Sequence, residues 1–275
     1  MMMDIECRSN RKSIVKKRIK WWVPVCAVLL CQLFPQPGFA IVNVEQAIIG
    51  RPTDGVHTTM GLNVSGASGN TDKSATGLDW LTLVKRGNQS DYLQLQYAYG
   101  KSRGQVDTDN AFAHLRHRTD VTDNWGVEAF AQIGRDRFAR MTRRTLLGGG
   151  VRRVLYEEDQ KSAGYLGLGA FHEHEILSEV PGTTDPLDTS LWRANSYLIL
   201  KKKFNENVRL YSTTYYQPQI ARADNFRALE QASALVKVGE NLDLRLSLNI
   251  SFVSKPPQSV QKRDVLYGTG LEMNF

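Results

Sequence analysis

The chain has 275 residues, with 35 Lys and Arg against 28 Asp and Glu and a formal net charge of +7. Seven of the basic residues and two of the acidic ones fall within positions 1–40, so the rest carries only +2, which excludes the basic face that nucleic acids select. All three cysteines (Cys7, Cys26, Cys31) fall there too; this excludes disulfides, thiolate metal ligands and a cysteine nucleophile from the remainder, and suits an oxidising compartment.

Residues 1–40 read as an export signal. Arg8, Arg11, Lys12, Lys16, Lys17, Arg18 and Lys20 form a basic stretch. Residues 21–34 form a short apolar core, and Gly38 and Ala40 supply the small residues of a cleavage site. The apolar run is well short of the ~20 residues a spanning helix needs. Residues 41–56 are expected as a short periplasmic segment, and residues 57–275 as one domain.

From there a period of two recurs along the chain. Met60, Leu62 and Val64 alternate with Gly61, Asn63 and Ser65; Leu93, Leu95, Tyr97 and Tyr99 with Gln94, Gln96, Ala98 and Gly100; Leu242 to Phe252 with Asp243, Arg245, Ser247, Asn249 and Ser251. Such alternation puts one set on each face of a strand. About twelve segments follow: 57–68, 72–85, 91–102, 110–121, 125–136, 143–155, 162–175, 191–203, 208–217, 225–238, 242–254 and 264–275. They run to about ten residues, which suits a tilted strand crossing a bilayer rather than the ~5–6 residues of soluble strands. Short connections at 86–90, 122–124, 156–161, 205–207 and 239–241 alternate with longer ones at 103–109, 136–142, 176–190, 218–224 and 255–263; the first, at 68–71, is also short. Turns on one side and loops on the other mark a transmembrane barrel. Trp80, Tyr99, Trp125, Trp192, Tyr216 and Tyr267 are expected near strand ends as an interfacial belt. The last segment carries Val265, Tyr267, Thr269, Leu271, Met273 and terminal Phe275 on one face, the pattern of a barrel-assembly signal, and is expected to close the ring against Met60 to Val64. The fold expected is a transmembrane antiparallel up-and-down β-barrel of about twelve strands in the bacterial outer membrane. Its partners are then lipid, lipopolysaccharide and, during biogenesis, the barrel-assembly machinery; the sequence leaves the oligomeric state open.

Three motifs carry a resemblance. Ser68-Gly69-Asn70-Thr71-Asp72, Arg135-Asp136-Arg137-Phe138-Ala139 and Thr145-Leu146-Leu147-Gly148-Gly149-Gly150, with Ser254-Lys255-Pro256-Pro257 near the end, resemble the YdiY-like family of salt-induced outer-membrane proteins over nearly all of residues 41–275. The resemblance implies an outer-membrane barrel and a link to salt or envelope stress. It implies no substrate, cofactor or catalytic residue.

Strand parity sends Arg116, Arg118, Glu128, Arg193, Arg209, Asp243, Arg245 and Glu272 inward. These form either a charged ring in a channel or ion pairs filling a closed lumen. In the tenth strand Glu230 and Lys237 fall on opposite faces and the parity stays open. His172 and His174 share a face at a spacing two metal ligands would use, but no third ligand is identifiable, so no metal and no cofactor is expected. Gly148-Gly149-Gly150 lacks the following helix a phosphate loop needs and reads instead as close strand packing. Asp107 with Asp109, and Asp185 with Asp188, read as solvated loop residues rather than a cation site. Ser196 with His172 or His174 is the only sketch of a hydrolase, and it lacks an orienting third group. The expected function is passive: a narrow channel or a structural barrel without enzymatic activity. A membrane-embedded hydrolase is the first alternative, and a surface protein binding a partner through its loops, residues 176–190 first, is the second.

Overall fold

The computed structural model describes residues 53–68, 72–158 and 161–274. The expected export signal and Phe275 lie outside the described residues. Twelve strands follow in order: β1 (Gly55–Ala67), β2 (Lys73–Arg86), β3 (Gln89–Ser102), β4 (Gln105–Asp120), β5 (Trp125–Asp136), β6 (Met141–Glu158), β7 (Ser162–Leu177), β8 (Asp188–Lys203), β9 (Val208–Gln219), β10 (Arg222–Lys237), β11 (Leu242–Val253) and β12 (Arg263–Asn274). Each pairs antiparallel with its sequence neighbours, and β1 pairs with β12 to close a barrel. The closing register is Thr59 to Leu62 against Asn274 to Leu271, which meets the expected stretch Met60 to Val64 over Met60 to Leu62 and stops short of Asn63 and Val64.

The alternation that predicted these strands sorts their faces. Leu115, Leu147, Leu168, Leu271 and Met273 are exposed on the outside, while Arg116, Leu146, Gly167, Gly270 and Glu272 point inward beside them. A closed sheet satisfies every central strand's N–H and C=O, which is the condition for crossing hydrocarbon without helices. An apolar exterior around a polar, charged interior is the inverse of a soluble barrel. The chain is therefore an outer-membrane-type β-barrel.

Two expectations change. Connection length does not alternate as the sequence suggested. On the side expected to carry loops, β3 and β4 meet in a two-residue turn, with positive φ at Arg103 (50°) and Gly104 (73°), the geometry of a tight hairpin. Strand pairing runs on through Val106 and Thr108 because these β-favouring residues continue the ladder past the bulge at Gly100 and Lys101. Only residues 178–187 and 254–262 are long connections on that side, here called the loop end. The opposite side, the turn end, carries both barrel termini. Trp80 also departs from the belt: it lies in the middle of β2, where its Nε1 donates to Thr82 Oγ1 at 2.8 Å.

Candidate functional site: the lumen and its mouth

Small residues make the space that large ones fill. A Cβ at Gly148 would stand 2.4 Å from Phe171 Cβ, and one at Gly167 would stand 2.0 Å from Tyr197 Cε1. Glycine on β6 and β7 is what lets aromatic rings from neighbouring strands lie flat against the wall. Phe130, Leu146, Tyr165, Phe171, Tyr197, Ile199, Tyr215 and Leu229 then form one buried cluster inside the barrel, drawn from β5 to β10. The glycine run expected to mark close packing does so here.

Charge is threaded through that cluster. Arg116, 1% exposed, lies over the rings of Phe130 and Tyr197 at 5.7 and 5.8 Å. Its Nη1 is 3.7 Å from Glu128 Oε2, and Tyr197 Oη donates to the same carboxylate at 2.7 Å. That last bond runs from β8 to β5, a chord across the lumen. Toward the loop end Glu173 accepts from three arginines: Arg144 Nε at 3.0 Å, Arg227 Nη2 at 2.8 Å and Arg193 Nε. Glu175 takes Arg227 Nη2 at 2.9 Å. Three guanidinium groups share two carboxylates, and β6, β7, β8 and β10 are tied together. Toward the turn end Arg209 pairs with Asp243 and Arg245 with Glu272.

All eight charged residues named from parity lie on the inner face: Arg116, Arg118, Glu128, Arg193, Asp243 and Glu272 are buried, while Arg209 and Arg245 are partly exposed. Parity alone did not find Arg144 or Arg227. In β6 both faces mix arginine with leucine and glycine, so alternation gives no contrast there, and outward-facing Glu230, held by Ser212 and Thr214 hydroxyls at 2.7 and 2.5 Å, confuses the phase of β10. Of the assembly-signal residues, Tyr267, Leu271 and Met273 face outward.

At the loop end one residue spans the mouth. Asp136 Oδ1 accepts from Phe138 N and Ala139 N at 2.9 and 3.0 Å and curls the chain after β5. Arg140 follows with φ 59°, a left-handed conformation that costs an arginine of the order of 1–3 kcal/mol. Its guanidinium donates to Ser178 O (3.0 Å), Thr183 Oγ1 (3.2 Å), Asp185 Oδ2 (2.6 Å) and Gln258 O (2.8 Å). Asp185 in turn accepts from Gln258 N at 3.0 Å. The backbone hydrogen bond from Gln258, then that of Arg140, holds the Asp185 carboxyl below its ordinary range. The β5–β6 turn and the β11–β12 loop stand six strands apart in a ring of twelve, so the contact of Arg140 with Gln258 O bridges the mouth along its diameter, with Asp185 of the β7–β8 loop bonded to both. No periodicity announces Arg140, because it sits in a turn.

The residues considered for other chemistry separate. His172 and His174 face outward, away from Glu173 and Glu175. His172 Nε2 meets Ser190 Oγ at 2.9 Å and its ring stands edge-on to Trp192, while His174 Nε2 meets Asp188 Oδ1 at 2.8 Å. Ser196 instead donates to Tyr216 O at 3.1 Å. Among the described residues no carboxylate orients His172, and no three His, Cys, Asp or Glu residues cluster to hold a metal. Asp109 pairs with Arg135 at 2.8 Å, so neither acidic loop pair forms a joint site.

The chain is similar to the translocator domain of the autotransporter NalP from Neisseria meningitidis (11% identity, TM-score 0.47, covering 79% of this chain and 86% of that one). It is also similar to the NanC porin (7%, 0.43, 79% and 97%) and the KdgM porin (8%, 0.41, 80% and 99%). No curated protein matches its sequence. The profile of one family matches residues 60–275, which is every strand from β2 to β12 and most of β1. The chain belongs to that family, described as protein of unknown function, DUF481.

Proposed function

We propose that the chain is exported through a cleaved signal peptide to the outer membrane and works there as a narrow, passive channel of the YdiY-like group. Lipid, lipopolysaccharide and the barrel-assembly machinery are its partners in this reading, and it performs no catalysis. The observation that carries it is the uneven filling of the lumen. The β5–β9 wall is packed with rings and ion pairs. The β1–β3 and β11–β12 wall carries Gly61, Asn63, Ala75, Gly77, Gly268 and Gly270 on its inner face, which leave room for a thin polar passage.

The mouth above that passage is crossed by the Arg140–Asp185–Gln258 bridge, so conductance should be small and should rise when the bridge is cut. Purified protein in planar bilayers should show discrete low-conductance steps, and Arg140→Ala should enlarge them severalfold. Silence from both the wild type and Arg140→Ala would sink the channel reading and leave a structural barrel.

A further inference from the structure

The barrel is sealed very unevenly. The β1–β12 ladder among the described residues covers four pairs, ending at Leu62 with Leu271. The next shortest, β8–β9, has nine. Both strands continue well beyond that point. Residues 63–67 of β1 remain paired with β2, and residues 263–270 of β12 remain paired with β11, yet toward the loop end the two strands make no pair with each other. Continuing the register would have put Val64 against Thr269. Instead, beyond the side chain of Asn63, which lies against Gly270, the two strand edges run on without pairing each other. Unpaired edge N–H and C=O groups are costly in hydrocarbon and are ordinarily covered, so this gap implies an occupant or lumenal water.

The two sides of the gap differ in chemistry. Its outer rims are apolar: Leu62 and Val64 on β1, each more than 60% exposed, and Val265 and Leu271 on β12. Behind it the inner face carries hydroxyls, amides and glycine (Asn63, Ser65, Gln96, Ser247, Asn249 and Gly268) and one carboxylate, Asp79, which accepts from Gln96 Nε2 at 2.5 Å. Deeper on β3, the buried Gln94 Oε1 has no hydrogen-bond partner among the described residues. The nearest arginine below, Arg245, is already paired with Glu272. At the loop end the mouth is narrowed by the contact of Arg140 with Gln258 O. The seam therefore gives the small-residue side of the lumen a second way out, sideways.

We infer that the β1–β12 seam is a lateral opening that admits a neutral amphiphile, its hydroxyl-bearing head group hydrogen-bonded to the amide-lined inner wall and its alkyl chain lying between the apolar rims. The geometry joins a polar compartment to the lipid face at one place, and an uncharged amphiphile is the ligand class whose two ends match both. The inference goes beyond the channel reading and does not depend on ion flow.

Cysteine pairs test the opening, in a background with Cys7, Cys26 and Cys31 replaced by serine. A disulfide needs Cα atoms within about 7 Å. Met60→Cys with Met273→Cys should oxidise readily in lipid nanodiscs; Val64→Cys with Thr269→Cys should stay reduced. Equal oxidation of the two pairs would overturn the opening. Binding is tested with a chain-labelled dodecyl maltoside, which should bind at one per barrel, while maltose alone should not compete. Gly268→Phe fills the gap from β12, where an added Cβ has nothing nearer than Ser247 Oγ at 3.8 Å; it should weaken binding at least tenfold with heat-modifiable folding retained. Ser65→Phe fills it from β1 should the first variant misfold. Binding within twofold of wild type in a folded filled variant would overturn the proposal. So would displacement of the label by an extended apolar peptide and not by unlabelled dodecyl maltoside, which would point to strand addition instead.

Discussion

One side of the lumen, from β5 to β9, is built from Phe130, Phe171, Tyr197, Tyr215 and the arginines around Glu173; the other, from β11 round to β3, is built largely from glycine, serine, asparagine and glutamine, with Asp79, Asp243, Arg245 and Glu272 among them. Both face the same space and both keep strict alternation with an apolar exterior. The difference shows that the membrane dictates only the outer face of a strand. The inner face is free to become either a protein core or a wetted wall, and here one barrel contains each. Rings and ion pairs are concentrated in the first, and small side chains in the second.

The comparison is broken most severely at Glu173. Glu173→Ala would leave three guanidinium groups sharing one remaining carboxylate, and breaking a buried pair this way costs about 3–5 kcal/mol. Urea unfolding of the folded barrel in lipid should show that loss or outright failure to fold. The corresponding change on the open side, Asn249→Ala, should stay within about 0.5 kcal/mol, as substitutions away from packed features do. Equal effects would mean that the two walls are not distinct.

A gentler pair uses one methyl group. Gly148→Ala forces a Cβ to 2.4 Å from Phe171 Cβ and should cost about 1–3 kcal/mol by overpacking. Gly268→Ala has space and should be neutral or slightly stabilising, because alanine restricts the unfolded chain. The same urea titrations read both.

Smaller still is the response of the mouth to acid. Asp185 is held below its ordinary range, so its contribution is complete above the unfolded carboxyl value of about 3.9 and is lost only as pH falls through the lowered folded value. Conductance should therefore be flat from neutral pH to about pH 5 and rise only well below the ordinary carboxylate range. Asp185→Asn should abolish that rise, and an opening already present at pH 6 would assign the bridge to other groups. The outward His174 is expected to matter least. Its pair with Asp188 is an exposed one, worth ~0–1 kcal/mol, and His174→Ala should shift unfolding by no more than that.

Much of this was legible in the sequence because a spanning strand leaves a long signal. Twelve segments repeat the same alternation, so their number and the closing register near Met60 follow from pattern alone. Parity also reached Arg116, Arg193 and Glu272, since the alternation around each of them is unbroken. It missed Arg144 and Arg227, where both faces of β6 mix arginine with small and apolar residues and the outward Glu230 confuses β10. It missed Arg140 altogether, because a turn residue is positioned by its contacts with two other connections that are remote in sequence. The expected sorting of connections by length also failed: Arg103 and Gly104 turn tightly, and pairing above the bilayer depends on β propensity rather than on burial. The unequal walls were visible residue by residue, but which strands stand opposite one another emerges only from closure of the ring.

The four-pair seam has a further meaning for the order of events during folding. Eleven of the twelve ladders join consecutive strands and close loops of at most ten residues, each at small entropic expense. The seam alone brings together residues more than two hundred positions apart, and such non-local closure is what slows folding. A curled meander carrying its aromatic core can thus be nearly complete before the ring exists. Closure then adds few hydrogen bonds, so the last step is close to reversible. The finished barrel keeps, as a permanent point of low resistance, the place where its two ends met.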